Sequence, residues 1–537
     1  MNPAADFPPA RRPIGDALLN RNRFRILGLT PDDLIKYFFG SNATVAVIVL
    51  ALITVFLFRE GAGFFGMNAR NIRVYRLAGL EYVDFIRREV DAHTAINRTL
   101  NDLRLAQFQQ FTAHGQTVGQ ANEALAGFDT FATAYGDSVE DVRGILSDLT
   151  EAATAIKTKE AVNGDLAEQK QMLIGAGKAG EAAAIAIMPV DFAQETGALT
   201  AVFPTYRAAN KQFAEKLTAA LALAPQMPDA KLRAQIGRIV AQTKEFTATF
   251  PQIEAGMQAW RYDAPVPAWK SLTTFLVGRE WLTASFWQDW YGLIPLLVGS
   301  LLVSVIALSF AVPLGVSAAI YVSEIAGVKE KNFIKPYIEF ISAIPSVVLG
   351  FFGVAVLGQA LRWVSQIEWL SWFPGFPMSE RLNSLTAGAL LALMAVPTIF
   401  SLAEDALTNV PKHLKEASYA LGANRFQTIV RILVPASISG IISAILLGFG
   451  RVIGETMVVL LCAGNRIQIP DFTQGLGAFF QPVHTMTGII AQEMGEVVPG
   501  SIHYRALFMV GIILFLLALL INFVAQKIVA RYRISIG

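Results

Sequence analysis

Six long apolar runs constrain this chain more than any other feature of its sequence. They occupy residues 41–58, 291–320, 333–364, 382–407, 432–462 and 507–529. Each reaches the roughly 18 apolar-dominated residues that indicate a membrane-crossing helix. Charged residues make up only 16% of the chain, against about 25% in a soluble domain. The sequence therefore predicts an all-α polytopic membrane protein with six transmembrane helices.

Basic residues predict the orientation of these helices. Lys and Arg are frequent in the tail 1–40, after residue 526, and in the loops that follow the second and fourth runs. Because cytoplasmic segments are enriched in Lys and Arg, both termini and both of these loops should be cytoplasmic. The run 41–58 lacks a small-residue cleavage site, so we expect an uncleaved anchor.

The stretch 59–274 is too long to be a connector between the first two spans. Its apolar residues recur at intervals of three and four, among Ala, Leu, Glu, Lys and Gln. This pattern predicts a helical domain outside the cytoplasm. We expect helix breaks near 135–137, 188–189 and 225–228, and a closing linker at 263–269.

Several function classes receive no support from the sequence. IGAGKAG at 174–180 lacks both the earlier Gly and the Ser or Thr of a phosphate-binding loop. It predicts a flexible helix connection, so ATP hydrolysis and any cofactor are expected in a partner and not in this chain. The net charge of +2 gives no indication of a nucleic-acid partner. No nucleophile and base form a recognisable enzyme motif.

The loop 408–435 has the pattern of two short helices around a turn. Gly422 permits a sharp bend, and an amphipathic run then returns to the membrane. This loop resembles the coupling loop of ABC importer permeases. The residues that carry the match are Glu416, Ala417, Gly422, Ile432 and Pro435, with Ser418 in place of a second Ala and Val434 in place of Leu.

The stretches AIPSVVLGFFGV, VPTIFSLAEDAL and GRVIGETMVVLLCAGN narrow the resemblance to phosphate importer permeases of the PstC type. It covers about 275–537, implies the type I importer permease fold there, and does not reach the added domain. The implied location is the bacterial inner membrane, with the domain in the periplasm. The implied partners are a PstA-like second permease, two ATPase subunits that bind ATP and Mg, and a periplasmic phosphate-binding protein.

Arg451 and Glu455 lie inside an apolar run, where each charge costs roughly 2.5–3.5 kcal/mol. Their spacing predicts a shared face of one helix. They either neutralise each other or line the substrate path. A guanidinium can donate two parallel hydrogen bonds to phosphate. Glu455 either holds Arg451 when the site is empty or accepts a hydrogen bond from protonated phosphate, which sulfate cannot offer.

Other candidates are weaker. Pro345 and Ser346 either line the path or only adjust helix shape. His484, Glu493 and Glu496 match no metal-ligand spacing and predict a solvated loop that faces the binding protein. Alternative functions are import of another oxyanion or an organic phosphate, and a membrane sensor with a helical outer domain.

Overall fold

A computed structural model describes residues 31–113, 115–225, 230–283, 285, 287–370 and 372–532. Helices dominate this part of the chain. The first ten in chain order are α1 Pro31–Leu77, α2 Leu80–Ala113, α3 Val118–Asp137, α4 Glu140–Gly175, α5 Ala179–Ala184, α6 Phe192–Thr200, α7 Phe203–Ala222, α8 Ala230–Ala248, α9 Phe250–Ala259 and α10 Trp269–Leu276. An antiparallel pair of short strands follows, β1 Trp281–Leu282 and β2 Trp290–Tyr291.

The second half of the chain contains the other membrane helices and their connections. Its α-helices are α11 Ile294–Ile320, α12 Val328–Ile341, α13 Ser346–Phe352, α14 Gly358–Ser365, α15 Ser384–Thr408, α16 Lys412–Ala420, α17 Arg425–Thr428, α18 Val434–Ile453, α19 Met457–Cys462, α20 Met486–Glu493 and α21 Ile502–Tyr532. Wider π-helical turns occupy Tyr321–Ile325, Gly353–Leu357 and Ile429–Leu433, and tighter 3₁₀ turns occupy Glu368–Leu370 and Phe472–Phe480.

The prediction of six transmembrane helices is confirmed. The helical stretches long and apolar enough to cross a membrane are Ile35–Leu77, Ile294–Ile325, Ser346–Ser365, Ser384–Thr408, Arg425–Ile453 and Ile502–Ile528. Helix α1 continues without a break past residue 58, where the sequence suggested the end of the first span. It ends at a turn in which Gly79 adopts a φ of 80°.

Two predicted spans are shorter in the structure. The third begins at Ser346, not at 333, because residues 328–341 form the separate amphipathic helix α12, which buries no residue. Pro345 caps α13 with an extended backbone, and this conformation ends the continuity between α12 and α13. The fifth span ends at Ile453, not at 462.

Helices α2–α9, residues 80–259, form what we call the helical domain. Its core is rich in fully buried aromatic side chains, namely Tyr82, Phe128, Phe131, Tyr135, Tyr206 and Phe213. Phe213 stacks on Phe250 with ring centroids 5.4 Å apart. Helix α3 ends at Asp137, residues 185–191 are not helical, and 263–268 form a linker, which confirms two of the three predicted breaks and the closing linker. Most of the third break, 225–228, lies outside the described residues.

Membrane helices α11, α15, α18, α1 and α21 pack through small residues. A Cβ added at Gly388 would lie 2.5 Å from the side chain of Ile306, and one added at Gly448 would lie 2.7 Å from Ile399. Close approach of this kind is how helices associate where lipid removes the hydrophobic driving force. The most apolar window of α1 has no buried residue, as expected of a lipid-facing helix.

The connection between β1 and β2 fastens the helical domain to the membrane helices. Lys157 of α4 donates to the backbone oxygen of Trp287 at 2.8 Å and to Oε1 of Gln288 at 2.7 Å. The guanidinium of Arg87 lies 4.7 Å from the ring centroid of Trp287. Lys157 and Arg87 therefore hold a segment that leads directly into α11.

Candidate functional site

The fifth membrane helix is broken beside Glu455. Helix α18 ends at Ile453, Gly454 is its C-cap, and α19 begins at Met457. The Oε1 atom of Glu455 accepts a hydrogen bond from the backbone N–H of Met457 at 3.1 Å. The expectation that Arg451 and Glu455 share a face of one continuous helix is therefore wrong. The physical reason is that a short polar interruption lets the carboxylate satisfy a free N–H at the start of α19.

Arg451 bonds to a different helix. Its NH1 donates to Oγ1 of Thr398 on α15 at 3.0 Å, and within the described chain it forms no ion pair with Glu455. Thr398 lies about 21 Å along α15 from Ser384, at 1.5 Å per residue. Because the hydrocarbon core is about 30 Å thick, Arg451 lies at membrane depth. Its side chain is exposed on the surface of this chain.

Hydroxyl side chains gather around the helix break. Thr487 donates to the backbone oxygen of Glu455 at 2.8 Å, and the backbone N–H of Met486 donates to Oγ of Ser300 at 2.9 Å. A small cavity is lined by Glu455 and by Ser300, Ser304, Thr485 and Thr487. These four residues and Thr398 were not predicted. Their only signal in the sequence was the pair of serines four residues apart in the second span.

The structure does not bring all predicted path residues together. Pro345 lies in the break before α13, and Ser346 is the first residue of that helix. Among the described residues, no hydrogen bond or ion pair joins either of them to Arg451 or Glu455. Their place in the path stays a prediction. Pro313 and Pro397, by contrast, lie inside α11 and α15.

The loop 408–435 contains the predicted two helices, α16 and α17, with a turn between them. Gly422 adopts a φ of 83°, which only glycine tolerates readily. Oγ of Ser418 lies 2.9 Å from Oγ1 of Thr428, so the departure from Ala adds a hydrogen bond between the two helices. Glu416 and Ala417 are exposed, and Leu421 at the tip is 88% exposed. The surface of the loop is thus available to a partner.

Buried carboxylates connect this loop and α12 to the membrane helices. Glu324, at the end of the second span, accepts from Nζ of Lys415 at 2.5 Å, and its backbone oxygen accepts from Arg425. Glu404 of α15 pairs with Lys331 and Lys335 of α12 at 3.1 and 2.6 Å.

The two remaining motif positions lie where the loop rejoins the membrane. Ile432 is in the π-helical turn before α18, and Pro435 is at the start of α18. Helix α16 is therefore connected to the second span through Lys415, and the loop is connected to the fifth span through this turn.

The segment that contains His484, Glu493 and Glu496 is not the solvated loop that we expected. His484 is 2% exposed, and its Nε2 lies 3.0 Å from Oε1 of Gln492. Burial lowers the pKa of His484, so it is neutral near pH 7. Glu493 lies 2.7 Å from Nε2 of His503. Only Glu496 is exposed, and in the described chain no three His, Cys, Asp or Glu side chains are placed to hold a metal.

Comparisons with known proteins agree with this architecture. The family model "Binding-protein-dependent transport system inner membrane component" matches residues 311–534. The probable ABC transporter permease YqgH of Bacillus subtilis is 36% identical over 272 residues, which are 48% of this chain and 82% of that protein. The phosphate transport system permease PstC of Pasteurella multocida is 31% identical over 275 residues, 49% of this chain and 83% of that protein.

A solved structure of the MetNI methionine ABC transporter, in inward-facing conformations, also aligns with this chain. The alignment has 20% identity and a TM-score of 0.33, and covers 45% of this chain and 95% of that one. The curated relatives, by contrast, are matched over more than four fifths of their own length at over 30% identity. The chain therefore belongs to the inner-membrane components of binding-protein-dependent transport systems, as a permease subunit of an ABC importer.

Proposed function

We propose that this permease carries inorganic phosphate into the cell. The observation that carries the proposal is the similarity to proteins named phosphate transport permeases, which extends over more than 80% of their length. The geometry at the helix break supports it. In secondary transporters, discontinuous membrane helices form substrate sites, and here the break places the Glu455 carboxylate beside hydroxyl side chains.

Arg451 gives this proposal a physical basis. A charge at membrane depth does not face lipid, because the cost is several kcal/mol. Since the guanidinium is exposed on this chain, it faces either a second subunit or a water-filled path. Among the described residues, one hydrogen bond, to Thr398, holds it in place. Its remaining N–H groups can donate to phosphate oxygens as the anion passes.

Glu455 contributes to selectivity in this proposal. One carboxylate oxygen is bonded to Met457, which leaves the other free to accept a hydrogen bond. Hydrogen phosphate has an O–H group to donate, whereas sulfate has none. A site whose acceptor needs a donor binds an anion without an O–H group less tightly, because the acceptor of the site is then left without a hydrogen bond.

The complete importer in this proposal has the partners that the resemblance implies. A PstA-like permease would cover Arg451, and two ATPase subunits would bind the exposed surface of α16 and α17. A phosphate-binding protein would deliver the anion from the periplasm. The helical domain lies in the periplasm, and both termini are cytoplasmic. Movement of α16 by the ATPases would reach the spans through Lys415, Glu324 and the turn before α18.

Uptake of labelled phosphate tests the assignment. Cells that lack this chain and other phosphate importers would be restored with the wild type, Arg451→Gln or Glu455→Gln. We expect uptake with the wild type and at least a tenfold loss with Arg451→Gln, because a charge-assisted hydrogen bond is lost. Glu455→Gln should weaken discrimination against sulfate.

Arg531→Gln is the matched control, since Arg531 is an exposed arginine at the end of α21. It should transport like the wild type. If cells with the wild type take up sulfate or an organic phosphate in place of phosphate, the proposed substrate is wrong, and the compound that is taken up replaces it. Full phosphate uptake with Arg451→Gln would show that Arg451 is not part of the substrate path.

A further inference from the structure

A large cavity lies where the helical domain meets the membrane helices. It has a volume of about 1010 Å³, near the upper end of the usual range for ligand sites. Helices α2 and α8 form one wall. Loops of the membrane part, around Glu380 and from Arg466 to Pro482, form the other. Neither region makes this cavity alone.

Three arginines from three separate segments line the cavity. They are Arg98 of α2, Arg238 of α8 and Arg466 of the loop after α19. In the described part of the chain, none of them donates a side-chain hydrogen bond or forms an ion pair. Some other arginines of the helical domain are paired, as Arg104 is with Asp129 and Arg207 with Glu254. The cavity therefore gathers guanidinium groups whose donors are free.

Carboxylates also line the cavity, and they restrict the ligand. Asp471 already accepts hydrogen bonds from Thr473 and Gln474. Asp102 and Glu380 accept none with their side chains from the described residues. The carboxylates equal the guanidinium groups in number, so a simple anion gains little from the overall field. An anion that also has an O–H group gains from both kinds of side chain, and hydrogen phosphate is such an anion.

The cavity is close to the helix break. Gln481 and Pro482 line the cavity, and Thr485 and Thr487 of the same segment line the small cavity around Glu455. Pro482 and Thr485 are three residues apart, which spans at most about 11 Å. One short segment therefore lines both the larger cavity and the small cavity around Glu455.

We propose that this interdomain cavity binds a phosphate group, either as free phosphate or as a small phosphate monoester, before it enters the permease. Arg98, Arg238 and Arg466 bind its charged oxygens, and Asp102 or Glu380 accepts from an O–H, which hydrogen phosphate carries on phosphorus and a monoester such as glycerol phosphate carries on its alcohol part. The helical domain thus supplies half of a substrate site. This inference rests on the proposed transport of phosphate, and it assigns a role to the helical domain.

Equilibrium dialysis of the full chain in lipid nanodiscs, with labelled orthophosphate, tests this site directly. We compare the wild type with the double variant Arg98→Gln/Arg238→Gln. The control is Arg143→Gln/Arg233→Gln, which removes the same charge from exposed arginines outside the cavity, with Arg233 on the same helix as Arg238. We expect Kd to rise roughly tenfold or more in the cavity variant and to stay unchanged in the control.

Competitors distinguish the two sources of the phosphate group. Displacement of the label by unlabelled phosphate alone indicates free phosphate, and displacement by glycerol phosphate as well indicates a monoester site. Sulfate that competes as well as phosphate would overturn the inference. So would equal Kd values for the cavity variant and its control.

Uptake by cells keeps the inference separate from the proposed function. If the wild type restores phosphate uptake but phosphate binding in nanodiscs does not depend on the cavity arginines, the proposed interdomain site is wrong. The proposed transport function is then unaffected. If the wild type fails to restore uptake, the proposed transport function is wrong, whatever the dialysis shows.

Discussion

The helical domain and the membrane helices are both all-α, but they are held together in opposite ways. The domain buries large aromatic side chains, with Phe213 stacked between neighbouring helices. The membrane helices meet through glycine, as Gly388 does with Ile306. Water drives the burial of aromatic area in the domain. In lipid that force is missing between helices, so close contact of small residues takes its place.

The difference also extends to ionisable groups. The domain tolerates a buried acid in its core, since Glu89 is 1% exposed and accepts from the hydroxyl of Tyr206 at 2.5 Å. In the membrane part, Arg451 and Glu455 lie in the last turn of α18 and in the break after it, and Glu404 lies near the end of α15. The comparison predicts that mutations in one region leave the other region largely unaffected.

The largest effect is expected from Phe213→Ala. Removing a fully buried aromatic ring should lower the unfolding free energy of the helical domain by about 3–5 kcal/mol. Hydrogen exchange of the full chain in nanodiscs measures it, with faster exchange in α7 and α9 and no change in α15. Leu105→Ala, at a side chain 53% exposed, is the control and should change little. Equally fast exchange in α15 would show that the two regions unfold together.

A smaller effect, which depends on pH, is expected at Glu89. Burial raises the pKa of Glu89 from 4.5 to about 7, and the nearby Glu254 adds to this although Tyr206 opposes it. The folded domain holds the proton more tightly than the unfolded chain. Its stability is therefore complete below pH 4.5 and falls by about 3 kcal/mol as the pH rises through 7.

Glu89→Gln should remove this pH dependence, because glutamine carries no proton to lose. Denaturant unfolding of the domain in the full chain, followed at pH 5 and pH 8, measures it. The variant should gain stability at pH 8 relative to the wild type. Stability that falls equally in both proteins would place the responsible group elsewhere.

The smallest effect is expected from Gly299→Ala in the second span. An added Cβ would lie 2.0 Å from the backbone oxygen of His484, so the segment before α20 must shift. Overpacking of this kind costs typically 1–3 kcal/mol. The temperature at which the detergent-purified chain aggregates should fall. Gly237→Ala in the helical domain has open space around it and should be neutral or stabilising. A lower aggregation temperature for Gly237→Ala than for Gly299→Ala would contradict the comparison.

The sequence was sufficient to predict the number of transmembrane helices, because the length of an apolar run can be read from consecutive residues. It was not sufficient to locate the breaks. Residues 432–462 read as one apolar run, and the interruption is stabilised by the hydrogen bond from the N–H of Met457 to the side chain of Glu455 and by the one from Thr487 to its backbone oxygen. The amphipathic helix α12 was joined to the third span for a similar reason. Its Lys331 and Lys335 pair with Glu404, about 70 residues further along the chain.

Part of the candidate site was visible and part was not. Arg451 and Glu455 stood out because charge is rare in an apolar run. Thr398, Ser300 and Thr487 did not, since hydroxyl residues are common in membrane helices without any special role. The interdomain cavity was invisible for a different reason. Arg98 and Arg466 come from distant parts of the chain, and only the packed structure places them on one surface.

Helix α1 has a mechanical consequence. Its 47 residues run from the membrane to the helical domain without interruption, which makes a rod about 70 Å long. If the membrane end of this rod tilts by about 10° during transport, the far end travels roughly 12 Å. The helical domain is therefore at the end of a long lever arm, and a small tilt of α1 in the membrane would displace the domain by a larger distance.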